Sequence, residues 1–137
     1  MRTLALRLRP GQDLKRELVA LVERERVMAG YVLTCVGSLD RLALRLAGAD
    51  RRHEATGLFE IVGLVGTLGL AGVHLHLAAS DADGRTVGGH LVDGCVVRTT
   101  AEIVVADDDR FRFDRELDPD TGYDELVVRE RPAAGRA

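Results

Sequence analysis

Gly72-Val73-His74-Leu75-His76-Leu77-Ala78-Ala79-Ser80, followed by Asp81-Ala82-Asp83-Gly84 and then Arg85-Thr86-Val87-Gly88-Gly89-His90-Leu91, reads as two strands and the turn that joins them. Val73, Leu75 and Leu77 alternate with His74 and His76. Successive strand side chains point to opposite faces, so the two histidines share the face away from the leucines. The turn segment ends on Gly84, where a positive φ is needed. A type I turn with a glycine bulge pairs Asp81 with Arg85, Ser80 with Thr86, Ala78 with Gly88 and His76 with His90. A two-residue turn would slip the register by one and send Val87 and Leu91 to the histidine face. Such a slip moves a whole apolar set to the wrong side, so the pattern rejects it. An antiparallel hairpin with three histidines on one face is the expectation.

Outward from the hairpin, the chain alternates between strand and helix periods. Thr3 to Arg9 places Leu4, Leu6 and Leu8 at period two, a half-buried first strand broken by Pro10-Gly11. From Asp13 the spacing becomes helical, with Leu14, Leu18, Leu21 and Val22 on one stripe and Gly30 as the stop. Lys15, Arg16, Glu23, Arg24 and Arg26 fill the solvated face, with Glu17 and Glu25 among them, which is not the composition of a basic nucleic-acid patch. Tyr31–Val36 and Leu39–Leu46 are two expected strands joined near Gly37-Ser38, and residues 48–57 form a polar connection in which His53 is a solvated side chain. Residues 58–68 are apolar at both parities: Leu58, Val62 and Leu64 on one face, Phe59, Ile61 and Val65 on the other. A strand apolar on both faces is covered on both. One helix cannot shield both sides, so a homo-oligomer is expected. Further strands are expected at 95–105, 111–116 and, more weakly, 126–128. The fold class is α+β, a largely antiparallel sheet with one main amphipathic helix in a single domain over 1–128, followed by a flexible tail at 129–137.

The chain has 137 residues, a formal charge of −3, two cysteines and no tryptophan. It is long enough for one core and too apolar to stay disordered. The charge lacks the basic excess of a free-standing DNA binder. Cys35 and Cys95 sit in apolar strand-like runs without CxxC spacing, so buried free thiols are expected rather than a disulfide. No run approaches the length of a membrane span and no signal segment is visible, which places the expected location in the cytoplasm.

His74, His76 and His90 on one face are candidate metal ligands. Opposed Cβ atoms in such a pair lie roughly 4.5–5.5 Å apart, within reach of one ion. Three neutral imidazoles with an open position suit zinc, and less specifically iron, nickel or copper. Surface histidines with a third stacked beside them fit the same spacing. Gly88-Gly89 fits either a twisted hairpin or room for a ligand. Glu102 could orient an imidazole, act as a base, or salt-bridge at the surface. The cupin pattern expects a Glu a few residues after HxH, where this chain has Ser80 and Asp81. There is no Ser-His-Asp order, phosphate loop or dinucleotide fingerprint, so no catalytic residue is assigned.

Several motifs together resemble the plant and prokaryote conserved domain (PPC) family, in its prokaryotic stand-alone branch. They are Arg9-Pro10-Gly11, Gly37-Ser38-Leu39, Leu58-Phe59-Glu60-Ile61, Gly72-Val73-His74-Leu75-His76-Leu77, Gly88-Gly89-His90-Leu91, Thr99-Thr100-Ala101-Glu102 and Thr121-Gly122-Tyr123. The resemblance implies an antiparallel α+β fold assembled as a homotrimer, a metal on the HxH and GGH elements, and DNA as a candidate partner. The AT-hook that grips DNA in the plant branch has no counterpart in this chain. Two functions follow as expectations: a trimeric, metal-holding module connected with DNA or transcription, or a metal-dependent enzyme acting on a small molecule.

Overall fold

The computed structural model describes residues 1–48 and 50–132. Its elements run β1 (Arg2–Leu8), α1 (Leu14–Glu25), β2 (Gly30–Arg45), β3 (Arg52–Gly69), β4 (Gly72–Ser80), β5 (Thr86–Leu91), β6 (Val96–Asp107), β7 (Phe111–Leu117) and β8 (Asp124–Glu130). Strands β1-β6-β2-β3-β4-β5 form one sheet in that order, and β7-β8 form a separate hairpin. Every pairing is antiparallel. The far end of β2 also reaches β5, pairing Leu44 with Leu91 and Arg45 with His90. Strands β2, β3, β4 and β5 therefore close on themselves around Leu42, Leu44, Leu75, Leu77 and Leu91, all buried. No helix among the described residues is long and apolar enough to cross a membrane.

The helix forms for local reasons. Asp13 caps it, accepting from the amides of Lys15 and Arg16 at 3.1 Å each. Leu14, Leu18, Leu21 and Val22 are its buried stripe. Gly30 is not its stop. Arg26 takes the left-handed conformation (φ 55°), and the Val27 amide closes on the Val22 carbonyl at 3.0 Å. Val27 then enters the core with none of its surface exposed, so burial ends the helix four residues early and leaves Gly30 to open β2.

Three other expectations are corrected. The two strands at 31–36 and 39–46 are one, because Gly37 bends within β2 rather than breaking it. A Cβ there would stand 2.1 Å from the Thr100 carbonyl oxygen, so glycine admits the close approach of β6. The polar connection ends sooner than composition suggests: β3 begins at Arg52, and His53 pairs with Leu44 inside the sheet. Strand β8 reaches Glu130, taking Arg129 and Glu130 from the expected tail through ion pairs of Arg129 to Asp114 (2.8 Å) and Glu116. Residues 133–137 of that tail lie outside the described residues.

Strand β3 is two-faced, with different membership. A register shift between Ile61 and Gly63 reverses the parity. Phe59, Ile61, Leu64 and Leu68 turn inward, whereas Leu58, Val62 and Val65 are each more than half exposed. Leu33 and Val36 on neighbouring β2 are exposed to the same degree. Cys35 and Cys95 are free thiols, as expected, but only Cys95 is fully buried and Cys35 is half-buried; desolvation raises each to a pKa of about 11.

Candidate metal centre

The hairpin that opened the sequence reading has the expected register: Ser80 pairs with Thr86, Ala78 with Gly88 and His76 with His90. The turn closes through the Asp81 amide on the Arg85 carbonyl at 2.9 Å, and the Asp81 carboxylate accepts from the amides of Asp83 and Arg85. Leu75 and Leu77 are buried, and His74 and His76 stand on the opposite, exposed face. The three imidazoles meet there with ring centroids 5.0 to 5.6 Å apart. One nitrogen from each lies within 4.8 Å of the other two.

The donor set fits a transition metal. His74 Nε2 and His76 Nε2 are 3.1 Å apart. Two nitrogens on one tetrahedral zinc at 2.0–2.1 Å would be separated by about 3.3 Å. His90 Nδ1 is buried without a hydrogen-bond partner, an uncompensated polar atom that a metal or ligand would satisfy. Burial lowers the His90 pKa to about 4, with Arg45, His74 and His76 adding in the same direction. His74 is lowered too, first by burial, then by His76 and Arg115. Both rings are therefore neutral at pH 7, the state that ligates metal.

Gly89 has a structural reason of its own. A Cβ there would come within 2.7 Å of the Arg45 carbonyl oxygen, so the glycine serves the contact of β5 with the end of β2. Glu102 stands exposed on β6 opposite Arg7 and Val36, away from the histidine strands and outside every ion pair found among the described residues. His53 faces a different cleft of about 420 Å³, between β3 and the 81–87 turn, which contains none of the three histidines.

Four residues around the histidines were missed from sequence. The cleft of about 410 Å³ beside His74 and His90 is lined by Arg45, Arg115, Tyr123 and Glu125. Arg45 arrives because β2 curls onto β5 opposite His90. The others come from the β7-β8 hairpin, which is anchored by the Phe113 amide on the Met28 carbonyl at 2.9 Å. Arg115 donates to Thr67 Oγ1 at 3.1 Å, and Thr67 is the cross-strand partner of His74. Tyr123 alone carried a signal, as part of the Thr121-Gly122-Tyr123 motif.

Residues 1–108 match the family model of the Plants and Prokaryotes Conserved (PCC) domain, the family that the motifs resembled. The chain belongs to this family. The PCC chain is 52% identical over 130 residues to the bifunctional protein GlmU of Synechococcus sp. (strain JA-2-3B'a(2-13)), covering 95% of this chain and 20% of that one. It thus spans about a fifth of the length of the curated relatives it matches. Among solved structures, a hypothetical protein from Salmonella cholerae-suis superposes with a TM-score of 0.93 at 44% identity, over 96% of this chain and 95% of the other. A putative DNA-binding protein from Bacteroides thetaiotaomicron shares the fold at a TM-score of 0.81, with 21% identity over 91% of each chain. A metal-containing protein from Archaeoglobus fulgidus shares it at 0.75, with 22% identity over 93% of this PCC chain and 94% of the other.

Proposed function

We propose that this PCC chain is a cytoplasmic homotrimeric module in which His74, His76 and His90 hold a divalent transition metal, zinc first, at the mouth of a cleft for a small molecule. The observation that carries the reading is the convergence of three imidazole nitrogens within 4.8 Å on one sheet face. The lowered pKa values of His74 and His90 and the unpartnered His90 Nδ1 support it. A bound ion would supply a Lewis acid toward an oxygen ligand entering from the cleft. The histidines would hold it, the hairpin register orients them, and residues of β7-β8 line one side of the cleft. A small molecule fits this site better than DNA, since the cleft is of small-molecule size and a net charge of −3 opposes a polyphosphate. A metal-dependent enzyme is the second reading, supported by that same cleft beside the candidate ligands.

The test is the metal content of untagged, chelator-free protein by elemental analysis, beside a His74→Ala/His76→Ala variant. About one ion per chain in the wild type, lost in the variant, is the expected outcome. A wild type that is empty and takes up no added zinc would reduce the three histidines to surface residues.

A further inference from the structure

Two arginines flank the histidines, one at each side of the cleft they share. Arg45 is the cross-strand partner of His90, and directly opposed residues project from the same face, so its guanidinium borders that imidazole. Arg115 reaches the opposite side, held by Thr67, the cross-strand partner of His74. Both line the cleft beside His74 and His90. Arg2, Arg16, Arg110, Arg112 and Arg129 all have carboxylate partners within 3.1 Å. Arg45 and Arg115 have none within ion-pair distance among the described residues. A guanidinium without a carboxylate, facing a cleft, is a ready fork for one.

The charge balance names the ligand class. Asp124 and Glu125 also line the cleft, with Glu125 accepting from the Thr121 hydroxyl at 3.0 Å. These two acids offset the two arginines in number, and an imidazole that ligates a metal does so uncharged. A divalent ion on the histidines leaves two positive charges in excess. We infer that the cleft between β4-β5 and the β7-β8 hairpin binds a small dianion, a dicarboxylate or a phosphate group, between the metal position and the guanidinium groups of Arg45 and Arg115. This rests on the metal reading above and goes beyond it by naming what the ion and the arginines hold together. The size of the cleft, about 410 Å³, suits a small molecule.

The experiment uses the full chain loaded with one zinc per protomer and desalted of free metal. Succinate and inorganic phosphate are titrated separately by calorimetry into wild type, Arg45→Gln and Arg115→Gln, with neutral succinamide as control. Saturable binding of at least one dianion and none of succinamide is expected. Each arginine variant should weaken it about tenfold or more, as for loss of a charge-assisted hydrogen bond, while zinc content and melting temperature stay unchanged. Succinate alone binding identifies the dicarboxylate source, and phosphate alone the phosphate source. Zinc-loaded protein that binds neither dianion, or binds one equally well in both arginine variants, overturns the inference and leaves the metal reading standing. Failure to load zinc at all removes both.

Discussion

At the residue scale, the two thiols give the clearest dependence on pH. Burial disfavours their thiolates, so each folded pKa is raised from 9.0 to about 11. A raised folded pKa means that this contribution to stability is fully present below pH 9 and is lost as pH climbs toward 11. The melting temperature should therefore fall between pH 9 and 11 in the wild type, and fall less in a Cys35→Ala/Cys95→Ala variant. The same burial should keep both thiols silent to Ellman's reagent at pH 8 until denaturant is added. Rapid titration of two thiols in native buffer would contradict the burial. Cys95 is also satisfied internally, donating to the Ala43 carbonyl at 3.2 Å and accepting from the Ala43 amide at 3.3 Å.

At the element scale, one side chain joins the helix to the sheet. Asp13 Oδ1 caps α1, and its Oδ2 accepts from the Gly94 amide at 2.6 Å, in the bend before β6. Asp13→Ala removes an N-cap, worth ~1 kcal/mol, and leaves a half-buried amide unpaired, worth ~1–3 kcal/mol more. A loss of roughly 2–4 kcal/mol is expected in urea denaturation, with Lys15→Ala close to wild type. A loss below about 0.5 kcal/mol would show that water replaces both bonds. The helix was legible at this scale because its stripe and cap are neighbours in sequence, with Asp13 one residue before Leu14. Its end was not. Gly30 carries the stronger local signal, but the core claimed Val27 first.

At the scale of the whole molecule, five of the exposed large apolar side chains, Leu33, Val36, Leu58, Val62 and Val65, lie on the neighbouring strands β2 and β3. An apolar sheet face of this extent marks a contact surface. It adjoins the histidines, since Val65 pairs with His76 across β3-β4. A trimer packed on this face would border the candidate metal centre. Light scattering should give a mass near three times 14.9 kDa for the wild type. A Val36→Asp/Val62→Asp variant, carrying charges into the middle of the face, should give the monomer mass with unchanged circular dichroism. A wild type that is monomeric at micromolar concentration would refute the assembly.

The hairpin register was determined by the sequence itself. His76 and His90 are separated by fourteen positions, and the turn chemistry and alternation between them leave one pairing that keeps Leu75, Leu77, Val87 and Leu91 together. The core stripe of α1 and the apolar excess of residues 58–68 were determined in the same local way. Tertiary structure decided the rest of the site. Arg45 meets His90 only because β2 curls far enough to pair with β5, and Arg115 meets Thr67 across forty-eight residues of chain. Which apolar residues of β3 face outward depends on a register shift opposite β4, where Gly63 rather than Val62 takes up the pairing. Alternation and turn chemistry act between neighbours in the chain, whereas sheet closure, bulges and an overhanging hairpin are settled by distant segments competing for one core.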